Sequence, residues 1–405
     1  MNILYISEQF PWPLHNGGNL RSFYIAQGLS KEHSVTLLAH QPPADAPEAK
    51  DALMAFCKDV VTVEEVSAPK RAIANAIGCG VRGMPLWLLK NRSPGILERV
   101  RQLTRNKHFD AVHLNMLDAA CFANEPCLPE LKVFDSHNCL AALADQTSTR
   151  HGNTLMRSVF RREARLLGRV EGRVARSVSS TLVCSPEDGQ RFQELAGNGT
   201  SNSRVRVAVI PNGVDVDEFA GGQSGAEQEE AIVFVGAMDY FPNIQGARWF
   251  CEAVWPIVKT ELANCKLYLT GKDPTTEVRN LAYENVVVTG RVPDVRPFVD
   301  RSRVFVVPLK SGGGTRLKIL GAMAAGKPIV STTVGAEGLG LIDGQHLLIA
   351  DTPQDFAAAI KRVWHDESFA ARLAQNARHE AEQRFSWRGI QDSLLREYDN
   401  LVSKR

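Results

Sequence analysis

Short β-rich runs alternate with segments of helical length along most of the chain, and this alternation constrains the fold more than any other feature. It begins with a strand-like run at residues 3–7, a helical segment at 20–30 and a second strand-like run at 34–39. Strands separated by segments long enough for a crossover helix are typical of βαβ units. Further short β-rich runs follow at 110–114, 132–135 and 181–185. The first half of the chain is therefore predicted to fold as a mostly parallel α/β sheet.

The second half repeats the pattern after a loop-like stretch at 194–206, which contains Ala-Gly-Asn-Gly-Thr-Ser-Asn-Ser. Strands are predicted at 205–210, 231–235, 266–270, 286–289, 304–307, 329–331 and 347–349, and helices at 242–262, 316–325, 353–366, 369–385 and 387–402. A chain of 405 residues exceeds one ordinary core. We predict two doubly wound parallel-sheet domains, 1–200 and 201–385. A C-terminal helix over 386–405 follows, for which packing back on the first domain is one arrangement.

Composition and charge exclude several classes of protein. The chain is 44% hydrophobic and 23% charged, as in folded globular proteins, and its formal net charge of +2 gives no overall case for nucleic-acid binding. Its eight cysteines form no C-x-x-C pair and no zinc-site spacing, which favours free thiols in a reducing compartment. No signal-peptide pattern and no apolar run of about 20 residues are present. We expect a cytoplasmic protein without a bound metal.

Two glycine-containing loops follow predicted strands and precede predicted helices, the position where open α/β sheets bind ligands. The first contains Gly17 and Gly18, which either present backbone N–H groups to an anion or only form a tight turn. The second runs from 310 to 332 and places Arg316 and Lys318 at the start of a helix. Cations at the N-terminus of a helix interact unfavourably with the helix dipole unless an anion lies between them. An anion site is the interpretation we favour over a solvated surface loop.

Four motifs together resemble glycosyltransferase family 4 of the GT-B fold. They are the stretch 310–332, Ile210-Pro-Asn-Gly-Val-Asp215, Phe234-Val-Gly-Ala-Met-Asp-Tyr240 and Gly17-Gly18-x-x-Arg21. The resemblance implies two Rossmann-like domains facing a central cleft, the first binding the acceptor and the second binding the nucleotide sugar. It also implies a metal-independent, retaining transfer of a sugar from a nucleotide diphosphate sugar, with no further cofactor. Bacterial surface polysaccharide, exopolysaccharide or glycolipid synthesis would supply a glycan or lipid-linked acceptor.

The resemblance also implies roles for individual residues. Many relatives hold the diphosphate with an Arg and a Lys after the strand that ends here at Gly236, but this chain has Asp239, Tyr240 and Asn243 in that region. Arg316 and Lys318 are the natural substitutes, and His137 matches a family position near the donor sugar. These three are the expected catalytic residues. The expected donor-binding residues are Gly17, Gly18, Gly236, Gly313, Gly314, Thr315, Gly321 and Glu337.

Gly321 departs from the family pattern, which has a glutamate at this position for the ribose hydroxyls. Each hydrogen bond to such a carboxylate is worth roughly 1.5 to 3 kcal/mol, so its loss should weaken donor binding. Glu337 could replace it, the donor nucleotide could differ, the change could be a lone substitution, or the protein could be catalytically degenerate. A non-catalytic scaffold or regulator of a partner enzyme is therefore the alternative to an active transferase. A Rossmann dehydrogenase is disfavoured, because G-x-G-x-x-G is absent after the first strand.

Several other features each allow two interpretations. The segment from Arg157 to Arg176 contains seven arginines and two glutamates. It suits either peripheral contact with an anionic membrane, on the inner face of the plasma membrane, or a solvated helix packed on the first sheet. The run 85–89, Pro-Leu-Trp-Leu-Leu, is expected to border the acceptor site. His113 is expected to be a core histidine, Asp135 to cap a turn rather than orient an imidazole, and the Asp215-Val-Asp217 stretch to form a turn rather than a metal site.

Overall fold

The computed structural model describes residues 1–14, 16–64, 83–91, 93–150, 153–197, 205–219, 229–312 and 316–403. Two compact units divide the chain. The first comprises Met1–Pro211 with Ile390–Arg405, and the second comprises Asn212–Gly389. Each is built on one parallel sheet with its own hydrophobic core, so the prediction of two parallel-sheet α/β domains is confirmed.

The sheet of the first unit has the strand order β3-β2-β1-β4-β5-β6-β7 and is parallel throughout. Four consecutive residues of β1, starting at Ile3, are fully buried, as expected for a strand covered on both faces. The register places Ile3 opposite Val35 and Ala111. The strands are β1 Asn2–Ser7, β2 Ser34–His40, β3 Asp59–Val63, β4 Ala111–Asn115, β5 Leu131–Ser136, β6 Ser180–Val183 and β7 Val207–Val209.

Helices connect these strands, and two of them approach each other through a glycine. A Cβ on Gly172 would lie 2.3 Å from the backbone oxygen of Leu195, a distance that only glycine permits. The helices are α1 Gly17–Ser30, α2 Ala49–Met54, α3 Leu86–Asn91, α4 Pro94–Asn106, α5 Met116–Ala120, α6 Leu140–Arg150, α7 Thr154–Ser177 and α8 Pro186–Gly197. The last helix of the chain, Trp387–Val402, passes from the second unit into the first.

One predicted strand belongs to a different sheet from the one expected. Residues 205–210 were expected to open the second domain, but β7 pairs with β6 in register Thr181 to Val207. The first unit therefore extends to Pro211, beyond the predicted boundary at residue 200. The reason is tertiary, because β6 offers a free edge that the apolar residues of β7 can extend.

The sheet of the second unit has the order β10-β9-β8-β11-β12-β13, again parallel. Its core contains large buried aromatic rings, including Phe234, Phe305 and Trp255. The strands are β8 Ala231–Val235, β9 Lys266–Thr270, β10 Val286–Gly290, β11 Val304–Val307, β12 Ile329–Ser331 and β13 Leu348–Ile349.

The single helix predicted over 242–262 is broken into three segments. They are α9 Phe241–Trp249, a π-helical turn Phe250–Val254 and α10 Trp255–Lys259. Pro256 has no N–H and cannot donate to the preceding turn, so the regular ladder is interrupted there. The remaining helices are α11 Thr276–Arg279, α12 Arg296–Arg301, α13 Leu317–Ala324, α14 Thr333–Ala336, α15 Pro353–His365, α16 Glu367–Arg384 and α17 Trp387–Val402.

The cysteines of the described residues are free thiols, as predicted, whereas Cys79 lies outside those residues. Burial raises the pKa of Cys57 to about 12. Among the described helices, none is both long enough and apolar enough to cross a membrane.

Candidate functional site

The carboxyl ends of three neighbouring strands, β9, β8 and β11, form one edge of the second sheet. Gly236 follows β8 and Gly271 follows β9. A Cβ on Gly271 would lie 1.7 Å from the carbonyl oxygen of Gly236, so the two turns meet backbone to backbone. Any side chain at position 271 would therefore collide with the Gly236 carbonyl.

Lys318, in the first turn of α13, brings its ammonium to this edge. Its Nζ donates to Asn243 Oδ1 at 2.7 Å and lies 4.6 Å from the centroid of the Phe234 ring. A Cβ on Gly236 would lie 2.7 Å from the same Nζ, so glycine leaves the space that the ammonium occupies. Asn243 is held in turn, because its Nδ2 donates to the carbonyl of Ala237 at 2.8 Å. The ammonium is thus fixed beside the backbone that follows β8.

The charge on Lys318 is poorly compensated within the protein. Burial lowers the pKa of its ammonium to about 7, and the nearby charge of Arg316 contributes to the lowering. Both effects disfavour the protonated form of Lys318. An anion beside Nζ would favour that form and so raise the pKa. The sequence-based inference of an anion site is thus consistent with the local electrostatics.

Arg316 is the N-cap residue of α13 and is 7% exposed. Its guanidinium packs against Gly312, where a Cβ would lie 3.0 Å from Nη2 and where φ is +125°. Its Nη2 donates to the carbonyl of Val334 in α14 at 3.4 Å. The structure therefore holds Arg316 and Lys318 at the same end of α13. The three other expected residues of this loop, Gly313, Gly314 and Thr315, lie outside the described residues.

Gly321 lies one turn further along α13, is buried, and faces an aromatic ring. A Cβ at this position would lie 3.2 Å from Cε1 of Phe219, a tight contact that requires the ring to shift slightly. Glu337, the expected substitute for the missing glutamate, is exposed and directly follows α14. Phe219 was not identified as a site residue from the sequence, and Asn243 was named only among the residues that stand where relatives carry the cation pair. Their only signal was a position within or near the recognised motifs.

In the first unit, Gly17 and Gly18 form the first turn of α1 rather than a loop before it. Asn16 caps this helix, since its Oδ1 accepts from the backbone N–H of Asn19 at 2.9 Å. A Cβ on Gly18 would lie 3.9 Å from Nδ1 of His137, which directly follows β5. Two of the expected residues of this unit, Gly18 and His137, therefore lie together at the carboxyl edge of the first sheet.

His137 is uncharged near neutral pH. Burial lowers the pKa of its imidazole to about 4, although the carboxylate of Asp135 opposes this shift. Its Nε2 lies 2.9 Å from Asn115 Oδ1, which also accepts from the Tyr5 hydroxyl at 3.1 Å. Because the Asn115 atom beside Nε2 is an amide oxygen, which can only accept a hydrogen bond, Nε2 is the protonated nitrogen of the His137 ring. Nδ1, on the side of Gly18, is then a hydrogen-bond acceptor.

Asp135 does not cap a turn, as was expected, but pairs with Arg21. The Arg21 Nη2 donates to Asp135 Oδ1 at 2.5 Å, and its Nη1 donates to the carbonyls of Ile210 and Pro211 at 2.8 and 3.2 Å. Burial alone would raise the pKa of Asp135, but the Arg21 guanidinium holds it well below its usual range. The pairing compensates both buried charges. The sequence could not predict it, because Arg21 and Asp135 are 114 positions apart.

Two of the alternatives left open by the sequence are decided by the contacts. His113 is fully buried and its Nδ1 lies 2.8 Å from the Tyr398 hydroxyl, so the prediction of a core histidine is confirmed. Asp215 forms a turn, because its Oδ1 accepts from the backbone N–H groups of Asp217 and Glu218 at 3.2 and 3.0 Å. Within the described ranges, no cluster of His, Cys, Asp or Glu is arranged to hold a metal ion.

The arginine-rich segment is the helix α7. Leu167 and Val174 are buried in it, as the packed-helix interpretation requires, and Phe160 is half-buried. Six of its arginines form an exposed stripe: Arg161, Arg162, Arg165, Arg169, Arg173 and Arg176. The apolar side of the helix is therefore largely used inside the first unit, while the basic side faces solvent.

Comparison with known protein families identifies both halves of the chain. Residues 15–218 match the family described as Glycosyltransferase Family 4, and residues 229–366 match Glycosyl transferases group 1. The two matches cover the Gly17-Gly18 turn, His137, Lys318 and Gly321. The resemblance to glycosyltransferase family 4 that the motifs indicated is confirmed.

Individual relatives and one solved structure match most of the chain. An uncharacterized 44.6 kDa protein in the cps region of Klebsiella pneumoniae is 22% identical over 98% of this chain and 99% of its own. A phosphatidyl-myo-inositol mannosyltransferase of Mycobacterium leprae is 24% identical over 77% of this chain and 79% of its own. The crystal structure of the Anabaena protein HepE in complex with UDP and glucose covers 98% of this chain and 99% of its own, with a TM-score of 0.68 and 16% identity.

Proposed function

Because the chain belongs to glycosyltransferase family 4, we propose that it transfers a sugar from a nucleotide diphosphate sugar to a glycan or lipid-linked acceptor, with retention of anomeric configuration. The fixed ammonium of Lys318 beside Gly236 and Asn243 is the observation that carries the proposal. It is a cation whose charge is disfavoured by its surroundings, at the sheet edge where this fold class binds ligands.

The chemistry of the leaving group explains why this cation matters. When the bond between the sugar and the β-phosphate breaks, negative charge grows on the phosphate oxygens. A cation held in place beforehand stabilises that charge more in the transition state than in the ground state, and so accelerates the reaction. We assign this role to Lys318 and Arg316, which lie at the same end of α13. No metal and no additional cofactor is part of the proposal.

The first unit contributes groups of a different kind. His137 is uncharged and presents Nδ1 as a hydrogen-bond acceptor near Gly18, and this nitrogen could accept a hydrogen bond from a sugar hydroxyl. We assign acceptor binding mainly to this unit and nucleotide binding to the second, and we propose that His137, Gly17 and Gly18 of the first unit also contact the donor. Gly17, Gly18, Gly236, Gly321 and Glu337 remain the proposed donor contacts, together with the three residues of the loop before Arg316.

The relatives support a role in the assembly of cell-surface glycans. One is a protein in a cps region and one is a phosphatidyl-myo-inositol mannosyltransferase, while a protein of similar fold was crystallised with UDP and glucose. We propose polysaccharide, exopolysaccharide or glycolipid synthesis on the inner face of the plasma membrane. The exposed arginine stripe of α7 would contribute about 1 kcal/mol per cation near an anionic lipid surface.

A catalytically degenerate scaffold or regulator is the second candidate, and the contact at Gly321 favours it. The family pattern expects a glutamate at this position, which is a glycine here, and the Phe219 ring lies next to it. Donor affinity would then be lost together with catalysis, and the protein would act through a partner enzyme.

Calorimetric titration with UDP, GDP and ADP distinguishes the two candidates. An active transferase should bind one of these nucleotides, and Arg316→Ala or Lys318→Met should weaken that binding by about tenfold or more, because each removes a charge-assisted contact. Arg372→Ala is the matched control, since Arg372 is an exposed arginine on α16 of the same unit. The variants must retain the wild-type thermal unfolding transition to be compared.

The Gly321→Glu variant completes the experiment. A gain in nucleotide affinity would identify an enzyme weakened by the loss of its ribose ligand. Failure of every nucleotide to bind, both to the wild-type chain and to Gly321→Glu, would exclude the transferase and leave the scaffold.

A further inference from the structure

Asn115, the last residue of β4, lies at the centre of a buried hydrogen-bond network that reaches His137. It is 1% exposed, and both polar atoms of its side chain have partners. Its Nδ2 donates to the hydroxyls of Ser7 and Ser22, each at 3.0 Å. Its Oδ1 accepts from the Tyr5 hydroxyl at 3.1 Å and lies 2.9 Å from Nε2 of His137. The amide thus joins side chains from β1, from α1 and from the turn after β5.

The two serines determine which way the Asn115 amide faces, because each hydroxyl has only one hydrogen to donate. Ser7 Oγ donates its hydrogen to the carbonyl of Gln9 at 2.6 Å. Ser22 Oγ donates to the carbonyl of Gly18 at 2.8 Å, a shorter distance than the 3.3 Å that separates it from Asn115 Oδ1. Both hydroxyls are therefore left as acceptors for Asn115 Nδ2. The amide oxygen consequently faces the imidazole.

This orientation of the amide fixes the hydrogen of His137 on Nε2. An amide oxygen only accepts, so the neighbouring nitrogen of a neutral imidazole must donate. Asp135 agrees with this assignment, since its Oδ2 lies 3.7 Å from the same Nε2 and its negative charge favours a hydrogen there. Burial keeps the imidazole neutral by lowering its pKa to about 4. Nδ1 is therefore an acceptor that carries no hydrogen.

Nδ1 of His137 is available to a ligand. Among the described residues it has no hydrogen-bond partner, and unlike the buried Nε2 of His113 it retains contact with solvent. His137 is 8% exposed, and Gly18 lies on the Nδ1 side of the ring, where a Cβ would come to 3.9 Å. An accessible acceptor of this kind requires a partner that donates a hydrogen.

We propose that Asn115, Ser7 and Ser22 are positioning residues for His137, and that they make its Nδ1 an obligatory acceptor for one hydroxyl group of the donor sugar. The sugar group at this place must therefore donate a hydrogen. A fluorine or an ether oxygen of the same size would leave Nδ1 unpaired and bind less well. The inference rests on the proposed function, since the nucleotide sugar of that reaction supplies the hydroxyl.

Fluorinated donors test the acceptor role of Nδ1. Analogues of UDP-glucose in which each sugar hydroxyl in turn is replaced by fluorine are titrated calorimetrically against the full-length protein. Analogues of GDP-mannose or ADP-glucose take their place if the nucleotide titration selects that base. One fluorine should weaken binding by about fivefold or more, because the hydrogen bond to Nδ1 is lost. His137→Phe should bind that analogue and the parent donor equally well.

Asn115→Asp tests whether the network controls the imidazole. The carboxylate keeps the size of the amide, and the two serine hydroxyls can turn to donate to it. Its charge should raise the pKa of His137 from about 4 to about 6 or more. At pH 6, NMR of the ring nitrogens should show a hydrogen on Nε2 alone in the wild-type protein and on both nitrogens in about half of the variant molecules or more. The variant should then lose the preference for hydroxyl over fluorine, with UDP affinity unchanged.

A pair of serine variants tests the same network without changing its charge. Ser7→Ala/Ser22→Ala removes both acceptors of the Asn115 amide and touches no atom of His137. It should place a hydrogen on Nδ1 in part of the molecules and reduce the preference for hydroxyl over fluorine. Ser180→Ala is the matched control, because Ser180 is a fully buried serine of the same sheet that donates to Glu397. It should leave both measurements unaltered.

The outcomes separate this inference from the proposed function. A hydrogen on Nδ1 in the wild-type protein, or equal binding of the parent donor and all its fluorinated analogues, would overturn the positioning role while nucleotide binding left the proposed function intact. An effect of Ser180→Ala as large as that of the serine pair would leave the serines with a structural role only. If no nucleotide binds, the proposed function fails and the sugar contact fails with it.

Discussion

Donor binding should take up a proton at Lys318 and should weaken as the pH rises. In the free protein, burial and the charge of Arg316 lower the pKa of Lys318 to about 7, so at neutral pH about half of the molecules carry an uncharged amine. A diphosphate beside Nζ favours the ammonium and raises its pKa. Molecules with an uncharged Lys318 must therefore take a proton from solvent when they bind the donor.

The size of the effect follows from the titration of this one group. With a pKa of about 7, the protonated fraction falls from about nine-tenths at pH 6 to about one-tenth at pH 8, so the Kd should rise about tenfold over that interval. A nucleotide sugar such as UDP-glucose is the appropriate ligand, because a terminal phosphate has its own pKa of about 6. Its phosphates are diesters and stay fully ionised across the range.

Calorimetry in two buffers of different ionisation enthalpy measures both the affinity and the proton uptake. The Lys318→Met variant should bind more weakly and without the pH dependence. Lys266→Met is the control, because Lys266 is half exposed in the same unit and pairs with Glu229 at 3.1 Å, away from Lys318. An affinity that is constant with pH in the wild-type protein, or a pH dependence that persists in Lys318→Met, would refute the reasoning.

Three further changes test the packing and the site. Gly172→Ala should lower the free energy of unfolding by about 1 to 3 kcal/mol in urea titrations, because a Cβ would strike the Leu195 carbonyl; Gly197→Ala, which meets nothing, should not. Gly236→Ala should weaken UDP binding by displacing the Lys318 ammonium, with thermal unfolding little changed. Asp135→Asn should cost about 3 to 5 kcal/mol by leaving the Arg21 charge buried and unpaired. In the wild-type protein, the stability from Asp135 should be present above its unfolded pKa of about 4 and should be lost as the pH falls further, which acid titration of unfolding would show.

The sequence by itself determined the fold class and much of the candidate site. Strands β8, β9, β11 and β12 have the predicted bounds. Each is a short apolar run enclosed by turns or helices, and such runs are typical of parallel strands that are covered on both faces. The motifs also identified Lys318, Arg316 and His137 as residues of interest. These are local signals, in which a residue and its near neighbours in sequence contain the information.

Only the tertiary structure decided which distant groups meet. The pairing of Arg21 with Asp135, the contact of Asn243 with Lys318 and the ring of Phe219 over Gly321 each join residues that are far apart in sequence. The position of β7 in the first sheet has the same origin. Burial then set the charges, leaving His137 neutral and Lys318 near its titration point, because the cost of burying a charge depends on the surrounding atoms and not on the neighbours along the chain.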